Sequence, residues 1–124
     1  MELAIAVSQG GEFMKWSSFL KDGEPNRVYY IDTELEDYDL KKRINMVSSE
    51  KGLSVDRGEI QTLSLRGINT NLTAVVDKVI EDCKVFKAKL ICIDSQYSLL
   101  DGEENSNDHI RRATKQVHRL VLLC

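Results

Sequence analysis

Two stretches carry the residues that could do chemistry: RVYYIDTELED at 27–37 and KLICIDSQYSLLDGEEN at 89–105, each an apolar run that ends in carboxylates. A strand whose polar residues begin where its apolar run stops delivers them to its C-terminal end, where open α/β sheets bind ligands. Asp32, Glu34 and Asp94 are therefore expected to share one sheet edge. Asp94 closes four apolar residues, the pattern by which phosphoryl-transfer enzymes hold an aspartate near Mg2+, usually through a water. The bland alternative is a strand-end aspartate that caps its own turn. A glutamate at the end of the other strand could orient and deprotonate an attacking water. Glu36, Asp37 and Asp39 are already explained as the acidic start of a helix, where negative charge suits the helix dipole. Glu34 stands apart, because it precedes the helical pattern and comes after Thr33 in the strand-end turn.

Other constellations are weaker. His109 and His118 are nine residues apart and fall on opposite sides of a shared helix, so they cannot chelate one ion. Ser95 and Ser98 have no nearby base for a hydrolase triad. Neither G-x-x-x-x-G-K-[ST] nor G-x-G-x-x-G occurs in the 124 residues.

The elements that must position these groups are read from periodicity. Glu2 to Ser8 reads as a buried, uncapped helix, apolar nearly all round and stopped by Gly10 and Gly11. Trp16 to Asn26 reads as a loop containing the single proline, Pro25. Val28 to Ile31 is a β-rich run, and from Tyr38 to about Glu50 Leu40, Ile44 and Val47 recur at helical spacing before Gly52. Glu59 to Leu65 is a strand closed by Gly67. Leu72, Val75, Val76, Val79, Ile80, Cys83 and Phe86 form a helical stripe that belongs to the core, with Asn69 or Thr70 available as its cap. Leu90 to Ile93 is apolar without alternation, as in a strand buried on both faces of a parallel sheet. A polar loop, Asp101 to Asn107, leads to a last helix with Ile110, Ala113, Val117, Leu120, Val121 and Cys124 on one face. The expectation is one α/β domain over residues 1–124, layered α/β/α, with three mostly parallel strands. Three strands are few for this class, and the last helix ends on an apolar VLLC, so the fold is expected to be incomplete at both ends.

Composition bounds the function class. Hydrophobic content of 42% with 30% charged residues is that of an ordinary globular domain. A net charge of -3 argues against a broad basic surface for nucleic acid, although the stripe Arg111, Arg112, Lys115 and Arg119 could touch phosphate. That stripe also reads as the solvated face of its helix. Cys83, Cys92 and Cys124 have no paired spacing, which suits reduced cytosol. No leader and no run of about 20 apolar residues is present, so secretion and membrane insertion are not expected.

With these residues in place, the chain resembles the RepA-like branch of the RecA-type P-loop ATPases, hexameric helicase relatives of plasmid and phage replication modules. ELAIAVSQGGEFMKW resembles the helix immediately after the Walker A loop and its Gly-Gly-x-aromatic ending. VYYIDTELEDYDLKKRI resembles the strand with the catalytic glutamate and the helix bearing an arginine, here Arg43. SLRG at 64–67 and LICIDSQYSLLDGEENS at 90–106 resemble the third strand's exit and the Walker B strand with its Glu-Asn turn. The resemblance implies a RecA-like core, ATP and Mg2+ as cofactors, Glu34 as the water-activating glutamate, and Asp94 as the Mg2+-associated aspartate. Glu104 and Asn105 would shape the adjoining nucleotide loop. It further implies homo-oligomers or assembly with complete ATPase subunits, and DNA as a partner of a longer form. The departures are specific. The family's Walker A residues would lie immediately before Met1 and its sensor histidine beyond Cys124. Where relatives often carry Pro-Ile-Tyr-Lys after the Walker B aspartate, this chain has Ser95, Gln96, Tyr97 and Ser98. The expectation is part of an ATP-hydrolysing domain that does not turn over ATP by itself; the competing expectation is a non-catalytic module that binds a protein partner or complete subunits.

Overall fold

The computed structural model describes residues 1–17, 26–53, 59–95, 99 and 107–124, with Trp16 and Ser17 described in backbone only. It forms two compact units, Met1–Arg66 with Ala88–Asp94, and Gly67–Lys87 with Ser95–Cys124.

The first unit is built on a parallel sheet of three strands, β3 (Val28–Asp32), β4 (Ile60–Ser64) and β5 (Leu90–Asp94), in the order β4-β3-β5. The registers are level: Asp32 pairs with Ser64 on one side and with Asp94 on the other. All five residues of β3 are buried, as a central apolar strand should be. The β5 residues Leu90 to Ile93 are only half-buried, contrary to the burial on both faces that their apolar run predicts. β5 lies at the margin of the described sheet, with a hydrogen-bonded neighbour on one side.

Strand residues of one parity share a face. Val28 and Tyr30 pack there with Ala4 and Ile5 of α1 (Glu2–Ser8) and Leu40 and Ile44 of α2 (Asp37–Glu50), with Ile60, Leu90 and Cys92 partly buried around them. Both helices run as their periodicity predicts. α1 has no side-chain cap, and the chain leaves it at Gly10, whose φ of 66° is one that glycine adopts without strain. Ser8 and Ser48 are buried, and each hydroxyl donates to a carbonyl of its own helix, Ile5 and Ile44 respectively.

One element departs from the sequence expectation. β1 (Glu12–Phe13) and β2 (Trp16–Ser17) form a small antiparallel ribbon; β2 falls where the sequence predicts the start of a loop, and β1 precedes it. Its two turn residues, Met14 and Lys15, both have positive φ, a conformation for which a hairpin normally uses Asn or Gly. The rest of that predicted loop, 18–25, lies outside the described residues.

The second unit pairs α3 (Leu72–Phe86) with α4 (Asn107–Leu123). The α3 stripe from Leu72 to Cys83 is buried as expected. Its cap is Asn71 and not Asn69 or Thr70: the Asn71 side chain accepts the Ala74 N–H at 3.0 Å. α4 departs further. Ala113 and Leu120 are buried, but Ile110, Val117 and Val121 of the same predicted face are 58%, 38% and 75% exposed. Arg119 is tied to Asp77 of α3 at 2.7 Å and to Gln116 at 2.8 Å. Among the described residues no helix is long and apolar enough to cross a membrane.

Candidate functional site at the carboxylate edge

The level register brings the ends of three strands together, and with them Asp32, Ser64 and Asp94. Asp32 is 4% exposed, and its Oδ1 accepts the backbone N–H of both Glu34 and Leu35 at 2.7 Å. This is an Asx-type turn, in which a carboxylate takes the place of a backbone acceptor. The Asp32 side chain is thus committed to shaping the turn.

The turn is held from both neighbours as well. Thr33 N–H donates to the Asp94 carbonyl at 2.9 Å, and Leu65 N–H to the Asp32 carbonyl at 2.8 Å. The Ser64 hydroxyl donates to the Leu35 carbonyl at 2.6 Å. α2 then begins at Asp37, whose carboxylate accepts from Lys41 at 2.5 Å and from the Thr62 hydroxyl at 3.1 Å. The Lys41 contact holds that carboxyl below the usual aspartate range. Glu34 is the exposed residue at the middle of this pinned segment.

Asp94 is exposed, and its Oδ2 accepts the phenol of Tyr30 at 2.8 Å. Tyr30 itself is 2% exposed and comes up from the apolar core beneath the edge. Burial first, then the hydrogen bond and charge of Asp94, push the phenol well above its ordinary value, so it stays a donor across the physiological range. Cys92 lies on the same face, and burial raises its thiol too. Sequence reasoning missed Tyr30. The available signal was parity, since residues 30, 32, 92 and 94 fall on one face once Asp32 and Asp94 are paired.

Of the residues expected to do chemistry, the fold therefore joins Glu34 and Asp94 on one edge, with the backbone next to Glu34 bonded to that of Asp94. Asp32 belongs to the same edge as a structural group. Glu104 and Asn105 lie outside the described residues.

The edge fits one half of a Mg2+-nucleotide site. Asp94 keeps its second oxygen without a partner among the described residues, as is needed to accept a metal-bound water. No group of three or more His, Cys, Asp or Glu gathers among the described residues as a ready metal cage. Mg2+ does not require one, since it keeps several waters and takes further ligands from phosphate. The other half is not provided: no glycine-rich loop with an adjoining lysine stands among these 124 residues to cradle phosphate.

A parallel sheet with exposed carboxylates at its C-terminal edge defines the ligand-binding class of open α/β domains. Within that class, the AAA domain family matches residues 1–122, and the chain belongs to this family of P-loop ATPase type. No curated protein and no solved structure matches the chain.

Proposed function

We propose that the chain forms the carboxylate edge of an ATP-hydrolysing domain of the RepA-like kind, linked to DNA replication or helicase loading. The observation that carries the reading is the turn pinned by Asp32, in which exposed Glu34 follows Thr33 and the Thr33 N–H is bonded to the Asp94 carbonyl. In this reading Glu34 accepts a proton from the attacking water and orients it. Asp94, which accepts the Tyr30 hydroxyl, would be the residue that holds Mg2+. Bound Mg2+ would neutralise charge developing on the β and γ phosphates. Donors for the phosphates themselves come from outside these residues, from the same polypeptide or from complete subunits in an oligomer, and a longer form engages DNA. The match to the AAA domain family supports the ATPase part of the proposal.

A second reading, a non-catalytic module that binds a protein partner or complete subunits, draws on the exposed Ile110, Val117 and Val121 of α4. Glu34→Gln separates the two. ATP turnover is measured for the protein isolated from its source cells, alone and with subunits that carry a phosphate-binding loop. Catalysis by Glu34 predicts a loss on the order of 100-fold or more with nucleotide binding retained. Equal turnover in the variant, or none in the wild type under either condition, gives the molecule to the second reading.

A further inference from the structure

We infer that Tyr30 is a positioning residue for the metal-associated carboxylate, fixing the Asp94 side chain so that a single oxygen is left for the metal's water; the inference rests on the ATPase reading of this edge. Asp94 is the last residue of β5 and is exposed, and among the described residues Tyr30 is the one whose side chain bonds its carboxylate. The Tyr30 side chain is 2% exposed and belongs to the buried cluster with Ile5, Leu40 and Ile44, and its hydroxyl meets Asp94 Oδ2 at 2.8 Å. A hydrogen bond to a charged carboxylate is among the stronger ones available, and here its donor is anchored in the core.

The register sets the geometry. Tyr30 lies opposite Cys92, and Asp94 is two residues further along on the same face, so the phenol reaches diagonally along the sheet toward the edge. A phenylalanine would fill the same space and reach no further than the ring. The hydroxyl is therefore the part that packing does not explain. It is aimed at a group outside the core, and it leaves Asp94 Oδ1 as the oxygen with no partner among the described residues. Residues that orient a metal's ligands in this way commonly change metal affinity by about 10- to 100-fold when removed.

The test compares wild type, Tyr30→Phe and Asp94→Asn in the assembled protein, titrated with Mn2+ in the presence of ATP. Free Mn2+ is read by electron paramagnetic resonance, and the Asp94 carboxyl by 13C NMR. The expected result is tight binding by wild type, about 10-fold weaker binding by Tyr30→Phe, and loss of the site in Asp94→Asn. In the Tyr30→Phe protein the Asp94 carboxyl signal should move toward that of a freely rotating aspartate. Placing 4-aminophenylalanine at position 30, which restores a donor at the ring tip, should recover most of the affinity. It also serves as the comparison should Tyr30→Phe fail to fold. Unchanged Mn2+ affinity in Tyr30→Phe, with Asp94→Asn still defective, overturns the role of Tyr30 and leaves the ATPase reading standing. Equal binding by wild type and Asp94→Asn, or none by wild type, overturns both.

Discussion

Asp32 and Asp94 end neighbouring strands with the same local sequence, Ile-Asp and then a hydroxyl residue, and are partners in the register, yet they have opposite fates. Asp32 is buried and turns back on its own chain to accept two backbone N–H groups. Asp94 is exposed, and among the described residues it takes one side-chain hydrogen bond, from Tyr30 of the neighbouring strand, on Oδ2. After Asp32 the chain doubles over the strand end, and its amides need an acceptor there. At Asp94 the described residues send no amide back to the carboxylate. A strand-end aspartate whose own turn consumes it, as at Asp32, is thus a structural group.

That contrast predicts a ranking that experiment can break. Asp32→Ala should have the largest effect on stability, about 2 to 4 kcal/mol by urea unfolding, because two inward amides lose their acceptor at once. It should also release the turn that presents Glu34, so any hydrolysis would fall with it. Asp32→Asn retains an acceptor oxygen and should recover much of the loss. If Asp32→Ala proved as stable as wild type, the account of the turn as pinned by this carboxylate would be wrong.

Asp94→Ala should have the reverse profile. One hydrogen bond is lost at an exposed position, and water entering the space of the removed carboxylate can accept from Tyr30 in its place, so the cost is about 1 kcal/mol, below that of Asp32→Ala. Metal-nucleotide binding should nevertheless disappear. A loss of stability equal to that of Asp32→Ala would mean that the two aspartates do the same work, and the distinction between them would fall.

Much of this edge was legible in the sequence. The runs YYID and ICID could be read as strands because four or more apolar residues without alternation do not suit an exposed loop, and Glu34 was separable from the acids of α2 because it precedes the helical spacing. The direction in which each carboxylate turns was not legible. That depends on the level register, which sets Tyr30 against Cys92 and brings its hydroxyl within reach of Asp94, and no local pattern encodes it. The β1–β2 ribbon escaped for a different reason. Its turn is made by Met14 and Lys15 at positive φ, so the usual Gly or Asn signal is missing. The α4 stripe shows the converse limit: its spacing announces an apolar face, but periodicity does not say how much of that face is covered, and Ile110 and Val121 are mostly exposed.

Asp37 extends the comparison to a third aspartate and predicts its smallest effect. It sits at the first position of α2, paired with Lys41 one turn on, and both side chains are more than half exposed, at 51% and 61%. Solvent screening reduces such a pair to a few tenths of a kcal/mol, so Asp37→Asn should barely move the unfolding midpoint. Its sign with pH is nonetheless fixed. The Lys41 contact lowers the folded-state value below the ordinary 3.8, so the folded protein binds this proton less readily than the unfolded chain. The contribution is therefore complete above the ordinary aspartate range and is lost as pH falls through the depressed value. It should also fade with added salt. The urea midpoints of wild type and Asp37→Asn should accordingly differ slightly at neutral pH and low salt, and converge in acid or in concentrated salt. A difference that survived both would show that Lys41 is not the partner that matters at the start of this helix.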